Sequence, residues 1–261
     1  MTTITLNLMD VALASMLLLV TVGVSAYLKL GLVKTLIMAG VRTVVQLSLI
    51  GLILAWVFAR ESLSQVLTIL TIMTLIASIS VRQRIKRPYQ GLLFDSIVSL
   101  GFATGLMTMI AMTMIIKVSP WYLPQYIIPI LGLILGNSLT AISLTTNDLI
   151  NALHDKQSLI KSHLSLSATP FEAVHLLVKS AVLSGLTPTI NSMLVVGLVS
   201  LPGMMTGQIL AGANPTQAVR YQIITMFLIC AGSTLSCAIS ALLIVRRFFD
   251  ERGRFVLPPS A

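Results

Sequence analysis

Val11–Leu28 reads VALASMLLLVTVGVSAYL, eighteen residues without one charge. A run of this kind suits a helix crossing the hydrocarbon core of a bilayer, which takes about 20 apolar residues. A secretory leader would carry a basic flank, but no Lys or Arg precedes Lys29; the run therefore reads as a retained helix. Working outward, the pattern recurs at Leu36–Ala59, Leu63–Val81, Leu92–Ile116, Tyr126–Thr146, Thr189–Gly212 and Ala218–Val245. The expected fold is all-α, a polytopic membrane protein of about seven transmembrane helices, with residues 1–261 as a single transmembrane domain.

Composition points the same way. Hydrophobic residues make up 56% of the 261 positions and charged residues 10%, against about 25% charged in an ordinary soluble domain. So few charges cannot cover a water-facing surface. The net charge of +9 would suggest a nucleic-acid partner in a soluble chain, but no basic patch is interleaved with aromatics, and none is expected here. The cations sit mainly in connectors. With the N-terminus outside, thirteen Lys and Arg fall in inside connectors (Lys29, Lys34, Arg82, Arg84, Lys86, Arg87, Lys156, Lys161, Lys179, Arg246, Arg247, Arg252, Arg254). Three (Arg60, Lys117, Arg220) fall outside. The positive-inside rule then orients the chain N-terminus outside, C-terminus inside, and Trp121, Tyr122 and Tyr126 form an outer aromatic belt.

Asn147–Pro188 is the one long, more polar stretch and reads as a cytoplasmic loop. Leu149, Leu153, Ile160 and Leu164 recur at helical spacing, which predicts an amphipathic helix along the membrane face. A second helix begins at Thr169: Thr169 as N-cap, Pro170 in the first helical position and Glu172 completing a T-x-x-E capping box. A capped surface helix without a partner is the plain alternative.

Within the spans, Arg42 lies about 9 Å into the second, at roughly 1.5 Å per residue, and Gln46 follows one turn later. A cation at that depth faces a cavity, finds a partner or snorkels to the interface; Asp95, at similar depth in the fourth span, is the expected partner. Leu201–Gln208 (LPGMMTGQ) places Pro202, Gly203 and Gly207 inside the expected sixth span, a composition that breaks a helix where it lines protein or a cavity. Thr206 and Gln208 then offer polar groups, and Met204 and Met205 either soft ligands or gap-filling side chains. Gly101–Gly105, Gly132–Gly136 and Gly203–Gly207 have the G-x-x-x-G spacing of close helix packing. Cys230 and Cys237 read as small core residues, and His154, His163 and His175 lack the clustered cysteines of a metal site. The chain has no G-x-x-x-x-G-K-[ST] phosphate loop and no nucleophile–base–acid set, and few acids to serve a proton or sodium relay.

Gly197–Gly212 (GLVSLPGMMTGQILAG), Asn214-Pro215 and Arg220-Tyr221-Gln222 closely resemble the FetB family of ABC-transporter permeases. So do Arg42–Gln46 (RTVVQ), Pro129–Asn137 (PILGLILGN) and Leu166–Pro170 (LSATP). The similarity runs over nearly the whole chain. It implies a seven-span permease, a homodimer in the cell inner membrane, energised by a separate ABC ATP-binding subunit and otherwise partnered by membrane lipid. Bacterial members are implicated in iron export; plant relatives are linked to aluminium tolerance and, in one case, to sugar-nucleotide transport. The expected cargo is accordingly a metal, iron export first, with a metal complex or nucleotide sugar as alternative. A bare cation would seek negative charge that this chain scarcely offers.

The resemblance also makes Leu166–Ala173 the segment that touches the ATPase, through Thr169, Pro170, Phe171 and Glu172. It departs from the importer pattern E-A-A-x-x-x-G, since Val174 replaces the second alanine and Val178 the glycine. Arg42, Gln46, Asn137, Met204, Met205 and Gln208 stand as candidates for the substrate path. On this reading the chain is no enzyme and needs no cofactor. A membrane-embedded enzyme or a scaffold is the competing class.

Overall fold

The structure, a computed structural model, describes residues 7–60 and 62–259. They form α1 (Leu8–Tyr27), α2 (Val33–Arg60), α3 (Leu63–Arg84), α4 (Leu92–Ile110), α5 (Pro124–Asp155), α6 (Gln157–Ser165), α7 (Pro170–Val195), α8 (Gly203–Leu210) and α9 (Pro215–Arg247). α4 continues through a π-helical turn, Ala111–Ile115. Seven of these helices are long and apolar enough to cross a membrane: all but α6 and α8.

Local sequence explains the starts and the polar content. Pro124, Pro170 and Pro215 each occupy a first helical position, where a missing N–H costs nothing. Asn214 Oδ1 accepts the Thr216 N–H at 2.9 Å and caps α9. Serine and threonine within the spans return their hydroxyls to the carbonyl four residues back: Thr43 to Ala39 and Thr71 to Leu67 at 2.8 Å, Thr104 to Leu100 at 2.7 Å. A hydroxyl satisfied by its own helix can face lipid.

The sixth span differs from the expected Thr189–Gly212. It is α7, which begins at Pro170 and ends at Val195. The polar residues of its first turns, Glu172, His175 and Lys179, make Pro170–Pro188 look like loop. The apolar stretch beyond Val195 cannot stay helical, because Gly197 has φ +84° and Pro202 withholds a donor. It forms a turn, Gly197 N–H to Ser200 O at 2.9 Å, then the short α8. The expected single amphipathic helix is also corrected. Leu149 and Leu153 belong to the last turns of α5 and Ile160 and Leu164 to α6, with a break at Lys156. Leu149, Leu153 and Ile160 are fully buried, because they pack inward between helices.

The chain divides into two compact units. In one, α1 packs on α2, with Leu18 seated on Gly40; most of their other side chains are exposed. In the other, α5 is the central helix and packs on α9, α7, α3 and α4. Its closest approaches use small groups. Ser138 lies 3.5 Å from Ser233, and Thr146 is hydrogen-bonded to Ser240 at 3.2 Å across α5 and α9. A Cβ on Gly185 of α7 would lie 2.6 Å from the Ala141 carbonyl of α5 and strike Thr145. Of the spaced glycine pairs, an added Cβ would stand 3.6 Å from Thr74 at Gly101 and 3.3 Å from Met73 at Gly132, while at Gly105, Gly136, Gly203 and Gly207 it would meet nothing within 4 Å among the described residues.

Candidate functional site

The capped start of α7 and a polar cavity at its far end both belong to the α3–α9 unit. At the first turn Thr169 and Glu172 form the capping box: Glu172 Oε2 accepts from the Thr169 N–H at 2.8 Å and from its hydroxyl at 2.7 Å. Thr169 Oγ1 accepts the Glu172 N–H at 3.4 Å. Two donors that the helix cannot satisfy internally are thereby engaged. Phe171, 43% exposed, leans on His175 with ring centroids 5.5 Å apart, and one fixed apolar knob stands at the helix tip.

The same end of the bundle is tied together by a buried acid. Asp95, in the first turn of α4, is 2% exposed. Its carboxylate accepts from Arg247 Nη2 at 3.0 Å and Nε at 3.2 Å, and from the Tyr89 hydroxyl at 2.7 Å. The two-pronged guanidinium geometry is the strong form of such a pair. Burial, reinforced by the hydrogen bond to Asp95, pushes the Tyr89 phenol far above its usual range, so it stays a donor. Tyr89 and His154 each meet Phe248 edge-on, at 6.2 and 6.0 Å. Asp95 is thus paired within its own unit by the last residue of α9. Both carboxylate oxygens, for which Arg42 is the partner expected from sequence, are taken by groups that the fold brings to the same end from as far as 152 positions away.

At the far end of α7, Thr189, Ser192 and Val196 line a cavity of about 290 Å³ with Asn137, Met204 and Gln222. Thr225, also in its wall, donates its hydroxyl to the Tyr221 carbonyl at 2.8 Å and lies 3.7 Å from the Met204 sulfur. Gln222 is buried, and its Oε1 has no hydrogen-bond partner among the described residues. None of the described residues lining this cavity is ionisable. Pro202, Val196, Gln222 and Met226 also border a second, apolar cavity of about 520 Å³ that includes Met193 and Met205.

The structure therefore brings Asn137 and Met204 together, places Met205 on the neighbouring cavity, and leaves Gln208 outside both walls with a buried Oε1 that has no partner among the described residues. Arg42 lies along an open groove of α2 with Ile37, Met38, Val41 and Val45, and makes no ion pair among the described residues; Gln46 is exposed on the same helix. Tyr89, Arg247, Gln222 and Thr225 are missing from the candidates drawn from sequence. An acid so deep in an apolar run did signal a partner; its identity was not signalled. Among the described residues no three His, Cys, Asp or Glu side chains converge as a metal would require.

Residues 8–249 match the family model described as "Uncharacterised protein family (UPF0014)". The chain is 40% identical to UPF0014 membrane protein slr1647 of Synechocystis sp. over 228 residues, 87% of this chain and 88% of the relative. It is 32% identical to the probable iron export permease protein FetB of Escherichia coli over 248 residues, 95% of this chain and 94% of the relative. Similarity reaches plants: the protein ALUMINUM SENSITIVE 3 of Arabidopsis thaliana is 31% identical over 240 residues, 92% of this chain and 86% of the relative. No solved structure matches.

Proposed function

The chain belongs to the UPF0014 family of membrane proteins, and we propose that it is the permease subunit of an ABC transporter, moving its cargo with energy from ATP hydrolysed by a separate subunit. On this reading the start of α7 faces the cytoplasm, as the basic bias of the connectors requires, and the protein works as a homodimer in the cell inner membrane. The reading rests above all on α7. One helix of 26 residues, about 39 Å long at 1.5 Å per residue, carries Phe171 in its first turn and ends on the wall of the polar cavity. Force applied to Thr169, Pro170, Phe171 and Glu172 reaches Thr189 and Ser192 through a continuous helical rod. Pro188, which leaves one helical bond unmade, lets the rod bend next to the cavity. Alternating access follows when the ATPase halves close and displace the capped tip.

Asn137, Met204, Gln222 and Thr225 are the proposed contacts with cargo, Met205 and Gln208 flank them, and Arg42 with Gln46 are further candidates on α2. Iron export is the cargo assignment carried over from the FetB relative. The uncharged lining of the cavity favours iron inside a small complex or hydration shell over a bare ion, since amides and hydroxyls bond to such a shell while a naked cation demands charged ligands. The cavity holds about ten waters' volume at roughly 30 Å³ each, enough for such a shell.

Purification from the native membrane with the full chain as bait tests the reading. An ATP-binding subunit should follow the protein, and Phe171→Ala should insert normally yet lose most of that subunit and the coupling of hydrolysis to transport, as truncating a buried aromatic anchor does. Unchanged copurification and unchanged cargo-stimulated hydrolysis in Phe171→Ala would remove the coupling role.

A further inference from the structure

The segment after α9 is held by its own contacts. Asp250 closes a tight turn. Its carboxylate accepts from the Arg252 N–H at 3.0 Å, the Arg254 N–H at 2.7 Å and the Arg254 guanidinium at 2.7 Å. Those bonds, the Arg254 N–H first among them, hold the Asp250 carboxyl below its usual range. Beyond the turn the chain runs back antiparallel: Val256 N–H donates to the Phe248 carbonyl at 2.9 Å, and Phe255 packs between Phe248 and Phe249 at 6.2 and 5.6 Å. Two further contacts fasten this strap to the bundle. Gln90 N–H donates to the Pro259 carbonyl at 3.1 Å. Gly253, at φ +72°, lies over Pro170, where an added Cβ would stand 3.4 Å from the proline ring. The strap is therefore seated on the first residue of α7, beside Phe171.

Beside the charged Glu251, Arg252 and Arg254, the strap turns outward two apolar residues, Val256 47% and Leu257 40% exposed; Leu166, in the turn before α7, is 81% exposed. These three residues lie outside the long helices. Arg252, Lys156 and Lys161 are exposed at the same end. The strap's own charge, Asp250 and Glu251 against Arg252 and Arg254, sums to zero, so it lacks the polybasic excess that draws a segment to an anionic membrane surface. An apolar centre with a mixed, charged rim is the make-up of a protein interface.

We propose that the strap Phe248–Pro259 is the second half of the coupling surface: the soluble ATP-binding subunit that receives Phe171 also seats on Val256 and Leu257, with acidic side chains of its rim facing Arg252 and Lys161. This rests on the reading of the α7 tip as the coupling segment. The strap gives the partner a second lever on the same helix, because displacing Gly253 displaces Pro170.

A photoreactive benzophenone side chain placed in turn at Phe171, Val256 and Leu257 of the full chain, in its own membrane, tests the proposal. All three positions should capture one and the same chain, identified by peptide sequencing as carrying a phosphate-loop ATPase domain. Capture of that chain at Phe171, with only lipid or a second copy of this chain labelled at Val256 and Leu257, overturns the strap proposal and leaves the coupling role of α7 standing. Capture of it at none of the three overturns both. In parallel, Val256→Asp with Leu257→Asp should lower retention of the ATPase at least fivefold with membrane insertion unchanged; full retention overturns the proposal.

Discussion

The α1–α2 pair and the α5–α9 pair are made of about equally apolar helices and differ in how far they are buried. Mean hydropathy is 1.9 for α1 and α2 and 2.0 and 2.2 for α5 and α9, yet 6% of the residues in the first pair of spans are buried against 56% in the second. Apolarity by itself therefore does not say whether a side chain faces lipid or protein, because lipid tails are as apolar as leucine and supply no hydrophobic drive between helices. What separates the units is where small and hydroxylated residues stand. Ser138, Thr146, Ser233, Ser240, Gly185 and Gly232 line the α5–α9 and α5–α7 contacts, and among the described glycines of α1 and α2 Gly40 alone takes a close neighbour, Leu18.

This contrast predicts its largest effect at Gly185. Gly185→Leu drives a side chain into Thr145 and the Ala141 carbonyl, and should cost about 3 kcal/mol or more, at the top of the overpacking range; folded yield and melting in detergent should fall sharply. Gly23→Leu or Gly51→Leu, where nothing lies within 4 Å, should leave melting nearly unchanged. Equal losses at all three positions would erase the distinction between the units.

The next effect concerns charge. Removing one partner of a buried pair costs about 3–5 kcal/mol. The Arg247 side chain is 44% exposed, so Asp95→Ala should cost less, about 1–3 kcal/mol after allowance for solvent. Arg42→Gln should cost under about 0.5 kcal/mol, as at a surface position without special contacts. Melting of the four species in a cycle of Asp95→Ala and Arg247→Ala should show coupling; additivity would mean that the pair adds nothing to stability.

A smaller effect is expected at the helix cap. Thr169→Ala should loosen the first turn of α7 by about 0.5–2 kcal/mol, seen as faster amide exchange at Phe171–Val174 with global melting little changed. The smallest lies in the strap. Asp250 has its carboxyl pKa lowered by the fold, so its contribution is complete above the ordinary carboxylate pKa and is lost as pH falls through the lowered value. Exchange at Arg252 and Arg254, corrected for intrinsic rates, should rise in that acid window alone; a rise near neutral pH would contradict the assignment.

Much of the fold was legible from residues alone. Seven long apolar runs announced seven helices because an apolar run has no other way to satisfy its backbone in lipid. Thr169, Pro170 and Glu172 announced a helix start because capping chemistry is local. The sixth span was misplaced because hydropathy weighs side chains and ignores φ: Gly197 and Pro202 end helicity in a stretch that looks ideal, while Glu172, His175 and Lys179 sit in a real helix that looks polar. That Asn137 and Met204 share one cavity wall had no local signal, since it depends on how α5, α8 and α9 meet.

The sequence by itself determined membrane residence, the number of spans and the capped start of α7, because each follows from composition or from residues within one turn of each other. Only the tertiary structure decided that Asp95 answers to Arg247, that α7 joins the capped tip to a polar cavity, and that the strap lies on Pro170. Those are contacts between residues up to 152 positions apart, set by helix packing through groups as small as a glycine hydrogen, which no local reading of the chain can weigh.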